Sequence, residues 1–553
     1  MPFDTPYIFE FAFESTSAIP TMRVRIAFAS DPLDATPSWT DVTSDVMSIS
    51  IRRGRQHELN RMESGTAIVE LKNTSFEYYP TNTGSAYYDN MKAMKRISIQ
   101  GSYDDGTSYK DLYTGYIEAW IPTWKGEGGY GAIMTLRCVD GMKIVGRYRI
   151  NDAVGYAEEA SGTRIGNILD DVGWPAADRD IDTGQVTIIA TGAMENINAL
   201  DHAQKVAESE LGLFLVAPNG YMTFHDRAHR TGSSSLAIFG DDSGEDRFRD
   251  IKFILDETLL YNEVRATREG GTEQVSTNSS SITAYGRSSL IQTGLLLTSD
   301  FLALKHANYM IARYSDIEMR VKEIQLHSAI DPFNTLPKIL DLDISDKITC
   351  RKNEAVIDGD YFIEGVQHDW TPTVGLITKY ALSDANRYLQ DPDEQSDILR
   401  PNAPGTNTNL TPFPGTGEAN WEDVDEATTD EDTTYVWSAV SPRDDYNIEN
   451  PPYPYGTISK VVITARVREA GVGANFLIET YVGGNNYTDP VSWREAPAAY
   501  TNYTWEMTVS PDTSAAWTWA EVNGMEVGIR FVAGTGETRC TQLFATVYYI
   551  PSW

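Results

Sequence analysis

One sequence pattern occurs twice in this 553-residue chain and limits how the chain can fold. Each copy has a glycine, a tryptophan five positions later and then, after one more residue, the dipeptide Pro-Thr. The first copy contains Gly115 and Trp120, and the second, 250 residues further on, contains Gly365 and Trp370. Both copies overlap runs of aromatic and β-branched residues of the kind that favour strands.

Similar predicted strands flank the two copies. Arg96–Ile99 upstream of the first copy corresponds to Lys347–Cys350 upstream of the second, and Ile133–Val139 downstream corresponds to Ile377–Leu382. Four fixed residues could coincide by chance in two unrelated hairpins, but matching strands on both sides favour an internal duplication. We therefore expect the two glycines, and likewise the two tryptophans, to occupy equivalent positions in two related β domains.

The sequence between the two copies has a different periodicity. Ile165–Val172 and Leu200–Leu211 carry apolar residues at helical spacing, and each run ends at a glycine. Leu213–Phe224 predicts a hairpin around an Asn-Gly turn. A third helix is predicted from Ser299 through Ile311. These patterns indicate a small α+β insert between two β-rich regions.

The carboxyl-terminal part of the chain has the pattern of a linker followed by strands. Arg400–Gly417 alternates proline with Gly, Asn and Thr without apolar periodicity, which predicts an extended linker. From Trp421 to Trp553 the alternation typical of strands recurs, with no helical window. That region predicts an antiparallel, jelly-roll-like sandwich.

Taken together, the patterns predict a mainly β, multidomain fold, and 553 residues are enough for several domains. The predicted parts are a first β domain (1–140), an α+β insert (141–245), a second β domain with a helix near 299–314 (246–395), a Pro/Gly-rich linker (396–420) and a C-terminal sandwich (421–553).

The charge balance argues against several classes of function. Lys and Arg number 45 and Asp and Glu number 79, so the formal net charge is −34, which disfavours a general nucleic-acid binder. Residues 1–14 mix acids with apolar residues, and apolar runs are short throughout, so we expect neither a secretory signal nor a membrane span. The three widely spaced cysteines predict buried free thiols in a chain folded in a reducing compartment.

None of the short motifs supports catalysis or cofactor binding. Gly126–Gly131 satisfies G-x-G-x-x-G, but a strand follows where a dinucleotide site needs a helix. His225 and His229 have the spacing of helical metal ligands yet follow a strand, and the acidic run Glu422–Asp432 lacks the glycine of a calcium loop. We therefore predict no catalytic, metal or cofactor site and a protein that is not an enzyme.

A series of segments in fixed order runs from about residue 35 to residue 390. In the first β domain they are Trp39–Thr43, Ile49–Ile51, Arg53–Arg55, Gly65–Ala67 and Tyr113–Ile117. Further on they are Gly212–Arg227, Asp341–Asp346 and Ile363–Val366. In order and spacing these segments resemble the hub proteins of tail tips and baseplates in long-tailed bacteriophages, often called minor tail proteins. The segments Asp432–Val436, Ala516–Thr518 and Gly528–Arg530 resemble a β-sandwich appended to other phage tail and fibre proteins.

The resemblance implies a homotrimer in which two related β-barrels per chain form a ring of six that matches the sixfold tail tube. Such a hub closes the tube, contacts distal tail and tube proteins and other tip or fibre proteins, and lets DNA pass without specific binding. With −34 per chain a trimer carries a formal −102, and we expect a lumen lined mainly by acids that repel phosphate. The alternative is that this charge lies outside and only aids solubility. The implied location is the virion tail tip, assembled in the host cytoplasm.

The sandwich is expected to contact a host receptor, a surface glycan or a partner protein. Gly483–Pro497 interrupts the strand pattern and contains Tyr487, Trp493 and Arg494. These are the candidate contact residues, because a loop on a rigid sandwich can present aromatic rings beside polar donors. The alternative is that Tyr487 and Trp493 only cover the open end of the sandwich.

Two other functions stay open at this point. A cell-wall or capsule hydrolase would use the sandwich as a carbohydrate-binding module, although the sequence does not reveal which carboxylates lie close together. A bacterial adhesin is weakened by the missing secretory signal. A hub should be a trimer that leaves peptidoglycan and capsule intact, whereas a hydrolase should clear them.

Overall fold

The computed structural model describes residues 19–124, 131–385, 395–415, 419–438, 440–451, 457–471, 473–491, 493–532 and 537–550. The chain divides into two compact units, Met1–Gln390 and Asp391–Trp553. Strands dominate both units, so the predicted mainly β, multidomain fold is confirmed. Within the described ranges, no helix is long and apolar enough to cross a membrane. Apart from the linker, which is described below, the finer domain boundaries given above stay predictions.

The first unit alternates long strands with a few short helices. Its strands are β1 (Thr21–Ala27), β2 (Thr40–Asp41), β3 (Val46–Gly54), β4 (Glu63–Lys72), β5 (Lys95–Ser102), β6 (Lys110–Trp124), β7 (Ala132–Val139), β8 (Arg149–Asp152), β9 (Glu159–Ala160), β10 (Arg179–Ile181), β11 (Thr187–Ile188), β12 (Met194–Asn198), β13 (Leu213–Val216), β14 (Met222–His225), β15 (Ile238–Phe239), β16 (Asp250–Ile254), β17 (Glu263–Arg268), β18 (Gln274–Thr277), β19 (Ser289–Leu295), β20 (Arg320–His327), β21 (Lys347–Lys352), β22 (Ile357–Thr371) and β23 (Gly375–Asp384). Its helices are α1 (Met142–Arg147), α2 (Ser161–Val172), α3 (Ala199–Glu210), α4 (Ser279–Tyr285), α5 (Asp300–Tyr314) and α6 (Thr335–Asp341).

Two sets of five strands in this unit share one topology. The first, which we call repeat 1, has the spatial order β3-β4-β7-β6-β5, and the second, repeat 2, has the order β16-β20-β23-β22-β21. Every neighbouring pair in both sets is antiparallel. The strands also follow one another along the chain in the same sequence in both sets. The expected duplication is therefore present in the strand order.

Both repeats belong to one thirteen-stranded sheet. The second half of β22 pairs with β3, so repeat 2 continues directly into repeat 1. Beyond β5 the sheet is extended by β1 and β2, and β15 pairs with β21. In the described strands the ladder of neither repeat closes on itself, whereas the resemblance implied two barrels.

Alternation along the strands places one face in a common core. In β1, Met22, Val24 and Ile26 are buried, while Arg23 and Arg25 between them are partly exposed. This is the period-two pattern of a half-buried strand. The burial of such apolar faces, at about 25 cal/mol per Å² of apolar surface, is the main stabilising contribution to the sheet.

The helices predicted in the insert are present as α2 and α3. Ile165 and Ile168 of α2 are fully buried, and the helix ends at Gly173 with a left-handed φ of +78°. The side chain of Asn198 caps α3 by accepting hydrogen bonds from the first-turn amides. The predicted hairpin is the β13–β14 pair, and the third helix is α5, capped by Ser299.

The second unit is a sandwich of two six-stranded antiparallel sheets. Its strands are β24 (Gln395–Leu399), β25 (Pro401–Thr408), β26 (Thr411–Phe413), β27 (Tyr435–Ser438), β28 (Arg443–Ile448), β29 (Thr457–Ala470), β30 (Asn475–Val482), β31 (Asn485–Thr488), β32 (Arg494–Glu495), β33 (Thr501–Met507), β34 (Glu526–Val532) and β35 (Glu537–Ile550). One sheet has the order β26-β27-β35-β29-β33 with β24 on β35, and the other has the order β25-β28-β34-β30-β31 with β32 on β30. Apolar residues of both sheets form one core. A short helix, α7 (Trp519–Asn523), interrupts the strands where no helix was expected, because five residues are too few for a helical periodicity.

The predicted linker is wrong over most of its length. Pro401–Thr408 forms β25, which pairs with β28, and Thr411–Phe413 forms β26, which pairs with β27. Both strands lie at sheet edges, where a proline without an N–H is tolerated because one side of the strand needs no donor. The alternation of prolines that suggested a linker is therefore compatible with edge strands of the sandwich.

Candidate functional site

The junction between the two repeats is made by one long strand. The first half of β22 pairs with β21, and the second half leaves β21 and pairs with β3, from Gly365 opposite Gly54 to Trp370 opposite Ile49. The amide of Arg55 donates to the carbonyl oxygen of Glu364 at 2.9 Å and fixes this register. Strand β22 thus joins the two repeats edge to edge.

A β-bulge marks equivalent positions in the two repeats. In β22 the extra residue opposite β23 is Glu364, and in β6 the extra residue opposite β7 is Glu118. Two residues before each bulge, the long strand pairs with Arg96 of β5 in repeat 1 and with Lys347 of β21 in repeat 2. This is the correspondence that the upstream sequence predicted. Because a bulge fixes the register of a ladder, the two bulges align the repeats.

The bulge alignment corrects the expected equivalence of the two glycines. Gly115 lies three residues before Glu118, whereas Gly365 lies one residue after Glu364. The two glycines therefore differ by four positions, and the prediction that they are equivalent is wrong. The shared spacing is a coincidence within a repeat that the strand order and the bulges establish independently.

The tryptophans differ in the same way. The residue equivalent to Trp370 is Trp124, because each lies six residues beyond its bulge. Trp120 is partly buried and donates its indole N–H to the carbonyl oxygen of Lys92 at 3.0 Å. Trp370 is also partly buried against the main core.

Each motif glycine is required where backbone approaches too closely for a side chain. A Cβ on Gly365 would collide with the carbonyl oxygen of Arg55, just after β3, and a Cβ on Gly54 opposite would collide with that of Glu364. Gly54 also has a φ of +85°, in the left-handed region that favours glycine. In repeat 1, a Cβ on Gly115 would lie 2.6 Å from the carbonyl oxygen of Val139.

The bulge residue Glu364 is a fully buried carboxylate held by two arginines. Arg55 Nε lies 2.6 Å from Oε2 and Arg230 Nη1 lies 2.5 Å from Oε1, while Ser383 donates to Oε1 at 2.7 Å. Burial alone would raise the pKa of Glu364, but the charges and hydrogen bonds of Arg230 and Arg55 hold it well below its usual range. One buried charge thus ties β3, β22 and the segment after β14 together.

Two strand edges are unpaired in the described part of the chain. They are equivalent to the two edges that meet at the junction. Beyond Ile117, β6 pairs only with β7, and β16 pairs only with β20. Ile121 and Trp124 of β6 are 41% and 46% exposed, and Leu255 just after β16 is 59% exposed. Open apolar edges of this kind are templates for pairing with another chain.

The predicted contact loop of the sandwich is partly a strand. Asn485–Thr488 forms β31, which turns back on β30 through two glycines with positive φ. Tyr487 packs against the sandwich core and donates its hydroxyl to Asp512 Oδ1 at 2.6 Å. Its ring and hydroxyl therefore have structural partners within the sandwich.

Trp493 and Arg494 have different surroundings although they are adjacent. Arg494 forms an ion pair with the buried Asp489 and donates to the carbonyl oxygen of Thr504 at 3.0 Å. The side chain of Trp493 is 54% exposed, and its φ of +79° is unusual for a bulky residue. Of the three candidates, only Trp493 presents most of its surface outwards.

Beside Trp493 lies a polar group that the sequence did not reveal. Arg443, Asp445, Glu479 and Arg530 meet on adjacent strands of one sheet, and both carboxylates are fully buried. Burial raises the pKa of Asp445. The sequence signal is the presence of charged residues within predicted strands, which ordinarily indicates a solvated face.

The glycine-rich motif and the histidine pair, for which the sequence predicted no functional site, can be compared with the structure. Of Gly126–Gly131 only Gly131 lies within the described residues. The rings of His225 and His229 stack at 3.5 Å between centroids, and His229 Nδ1 lies 2.8 Å from a carboxylate oxygen of Asp182. No group of three or more His, Cys, Asp or Glu side chains in the described ranges is arranged to hold a metal ion.

Comparison with solved structures finds proteins of similar architecture. A tail protein from Neisseria meningitidis MC58 aligns with a TM-score of 0.45 and 11% identity, over 66% of this chain and 96% of that chain. The 43 kDa tail protein of prophage MuSo2 from Shewanella oneidensis aligns with a TM-score of 0.44 and 12% identity, over 66% and 98%. A component of the type VI secretion system is also among the proteins that align. The type VI secretion component, from E. coli, aligns with a TM-score of 0.37 and 11% identity, over 71% and 92%. No family model and no curated protein matches the chain.

Proposed function

We propose that this chain is a structural hub of a bacteriophage tail tip or baseplate, in which three copies form a ring that closes the tail tube. In this proposal the distal tail and tube proteins and other tip or fibre proteins dock on the ring. DNA passes through it without specific binding, and the sandwich is displayed for contact with the host surface. The protein acts by assembly, not by catalysis. The resemblance of residues 35–390 to hub proteins and the duplicated strand order support this proposal.

The junction between the repeats is the observation that carries the proposal. Within one chain, β22 of repeat 2 pairs with β3 of repeat 1. The equivalent edges recur once more, on β6 of repeat 1 and on β16 of repeat 2, and there they are open in the described residues. The same junction can therefore form between repeat 1 of one copy and repeat 2 of the next. Head-to-tail contacts of this kind form a ring when the rotation closes, and three copies supply the six repeats that a sixfold tube needs.

The internal junction also gives the register expected between chains. Asp369 of β22 lies opposite Ser50 of β3. The two bulges equate Asp369 with Thr123, and the ladders through β4 and β20 equate Ser50 with Lys252. We therefore expect Thr123 of one copy to lie opposite Lys252 of the next.

The same register brings apolar side chains of the two edges together. Ile121 is expected opposite Ile254, and Trp124 opposite Ile251. All four are at least partly exposed in the single chain, so pairing would remove apolar surface from water. Pro122 has no N–H, and the ladder between chains is therefore expected to have one hydrogen bond fewer than the β22–β3 ladder.

Disulfide trapping tests this register. The variant that combines Thr123→Cys with Lys252→Cys is expected to form disulfides between chains, and mild oxidation should give covalent species of up to three chains on a non-reducing denaturing gel. The reason is that residues opposite each other in a non-hydrogen-bonded antiparallel pair have Cα atoms about 4.5 Å apart, which is within disulfide reach. The three native cysteines are buried and should stay reduced.

The internal junction supplies the matched control. Ser50→Cys with Asp369→Cys should oxidise to a disulfide within one chain and give no larger species, because these residues are paired in the same chain. If that control oxidises while the Thr123→Cys, Lys252→Cys variant stays at the mass of one chain, the proposed contact between copies is wrong.

A further inference from the structure

A cleft on the outer face of the sandwich combines an aromatic platform with fixed charged groups. In β28, β34 and β30 the residues that pack into the core include Tyr446, Ile529 and Ile478. Residues at the alternate positions of these strands point to the opposite side of the sheet. The cleft on that side has a volume of about 460 Å³, and its lining includes Ser441, Arg443, Trp493, Arg530 and Val532.

The floor beside the cleft is a row of residues on three adjacent strands. Asp445 of β28 lies opposite Gly528 of β34, which in turn lies opposite Glu479 of β30. A Cβ on Gly528 would collide with Asp445 Oδ1. The missing side chain of Gly528 therefore leaves room for the two carboxylates on either side of it.

The two carboxylates hold the two arginines of the cleft. Arg443 Nη2 lies 3.2 Å from Asp445 Oδ2, and Arg443 Nη1 lies 3.6 Å from Glu479 Oε2. Arg530 forms an ion pair with Glu479 Oε1. The carboxylates are fully buried, whereas the side chains of Arg443 and Arg530 are 24% and 35% exposed. The guanidinium groups are therefore restrained from below and still accessible from the cleft.

The charges of this group cancel, which bears on the ligand. Two guanidinium groups and two carboxylates cancel, and Glu526 adds a negative charge near Asp445, so the cleft does not select for an anion by charge. The whole chain carries −34, which further disfavours a polyanionic ligand. What remains is a set of N–H donors held in place beside an exposed indole ring. Each guanidinium has five donors, more than its ion pairs in the described residues use.

These features fit a neutral sugar. The C–H face of a pyranose ring packs on an indole, whose apolar face is wide and flat, and its hydroxyl groups accept hydrogen bonds from guanidinium N–H groups. We propose that this cleft binds a neutral hexopyranose unit of a surface glycan, with Trp493 as the stacking platform and Arg443 and Arg530 as donors. The inference rests on the proposed function, because it names the ligand class that the displayed sandwich would contact.

Oligosaccharide titration of the full chain tests the inference. The probes are maltohexaose, cellohexaose, N-acetylchitohexaose and a mannohexaose, with hyaluronan hexasaccharide as the anionic counterpart, and binding is measured by calorimetry. At least one neutral probe is expected to bind. Trp493→Ala is expected to weaken that binding at least 10-fold, and Trp493→Phe is expected to retain most of it because a flat ring is kept. Trp493 is more than half exposed, so neither change should unfold the sandwich.

Tyr487→Phe serves as the control, because the ring of Tyr487 packs on the core outside the cleft. This variant should bind the oligosaccharides as tightly as the unchanged chain. Failure of the whole neutral panel, binding of the anionic probe alone, or equal binding by Trp493→Ala would each overturn the inference. The molar mass of the same samples is measured in solution by light scattering. A trimer that binds none of the neutral probes refutes the glycan site and leaves the hub standing, whereas a monomer that binds one refutes the hub and leaves the site standing.

Discussion

Replacing Glu364 by glutamine is expected to lower the free energy of unfolding of the first unit by roughly 3–5 kcal/mol. The substitution keeps the shape of the side chain and removes a charge that Arg55 and Arg230 both contact. Because Glu364 is fully buried, water cannot enter to compensate the positive charges of the two arginines. Urea denaturation of the full chain, followed by fluorescence and circular dichroism, measures the change as a lower transition midpoint.

The matched control is Glu323→Gln, which removes a carboxylate from an exposed pair. Glu323 lies 2.8 Å from Lys252 Nζ, and the lysine side chain is 53% exposed. Exposed pairs of this kind contribute about 0–1 kcal/mol. Equal, small shifts in the two variants would show that the charge at the junction does not hold the repeats together.

The second large effect is expected at the open edge of β6. Ile121→Asp combined with Trp124→Asp should convert the proposed trimer into a folded monomer. Removing two apolar side chains from the contact loses about 1.5 kcal/mol or more for each, which corresponds to at least about a 100-fold weaker association. Because both side chains are more than 40% exposed in the single chain, the fold itself should survive. Size-exclusion chromatography with light scattering measures the result.

Two aspartates introduced on other exposed strands test whether the position of the substitutions matters. Val275→Asp with Ile291→Asp changes two apolar residues that are 41% and 63% exposed but lie on β18 and β19, outside the two five-strand repeats. This control should remain a trimer. A β6 variant that still forms trimers would mean that the copies associate through another surface.

The repeat could be predicted from the sequence to the extent that its strands keep a recognisable pattern. The segments Arg96–Ile99 and Lys347–Cys350 correspond as expected, because both are buried and pair with the long strand that carries the bulge. The predicted equivalence of Gly115 and Gly365 was wrong, because each glycine is required by a local close approach of another backbone segment. Such approaches depend on strand neighbours distant in sequence, which spacing alone does not reveal.

In the sandwich, too, pairing between strands distant in sequence could not be predicted from local sequence patterns. Its alternating strands were predicted, but Pro401–Thr408 was assigned to a linker because a proline-rich segment lacks the composition of a central strand. Its place at a sheet edge is decided by pairing with β28. The cleft beside Trp493 could not be predicted either, since Asp445 and Glu479 meet only because their strands flank β34.

The mass of the native full chain in solution tests the central claim most directly. The account predicts a particle of three chains, each of 61.5 kDa, at micromolar concentration by light scattering or mass photometry. A protein that remains at one or two chains, with no trimer as its concentration is raised, would contradict the hub and the ring of six repeats.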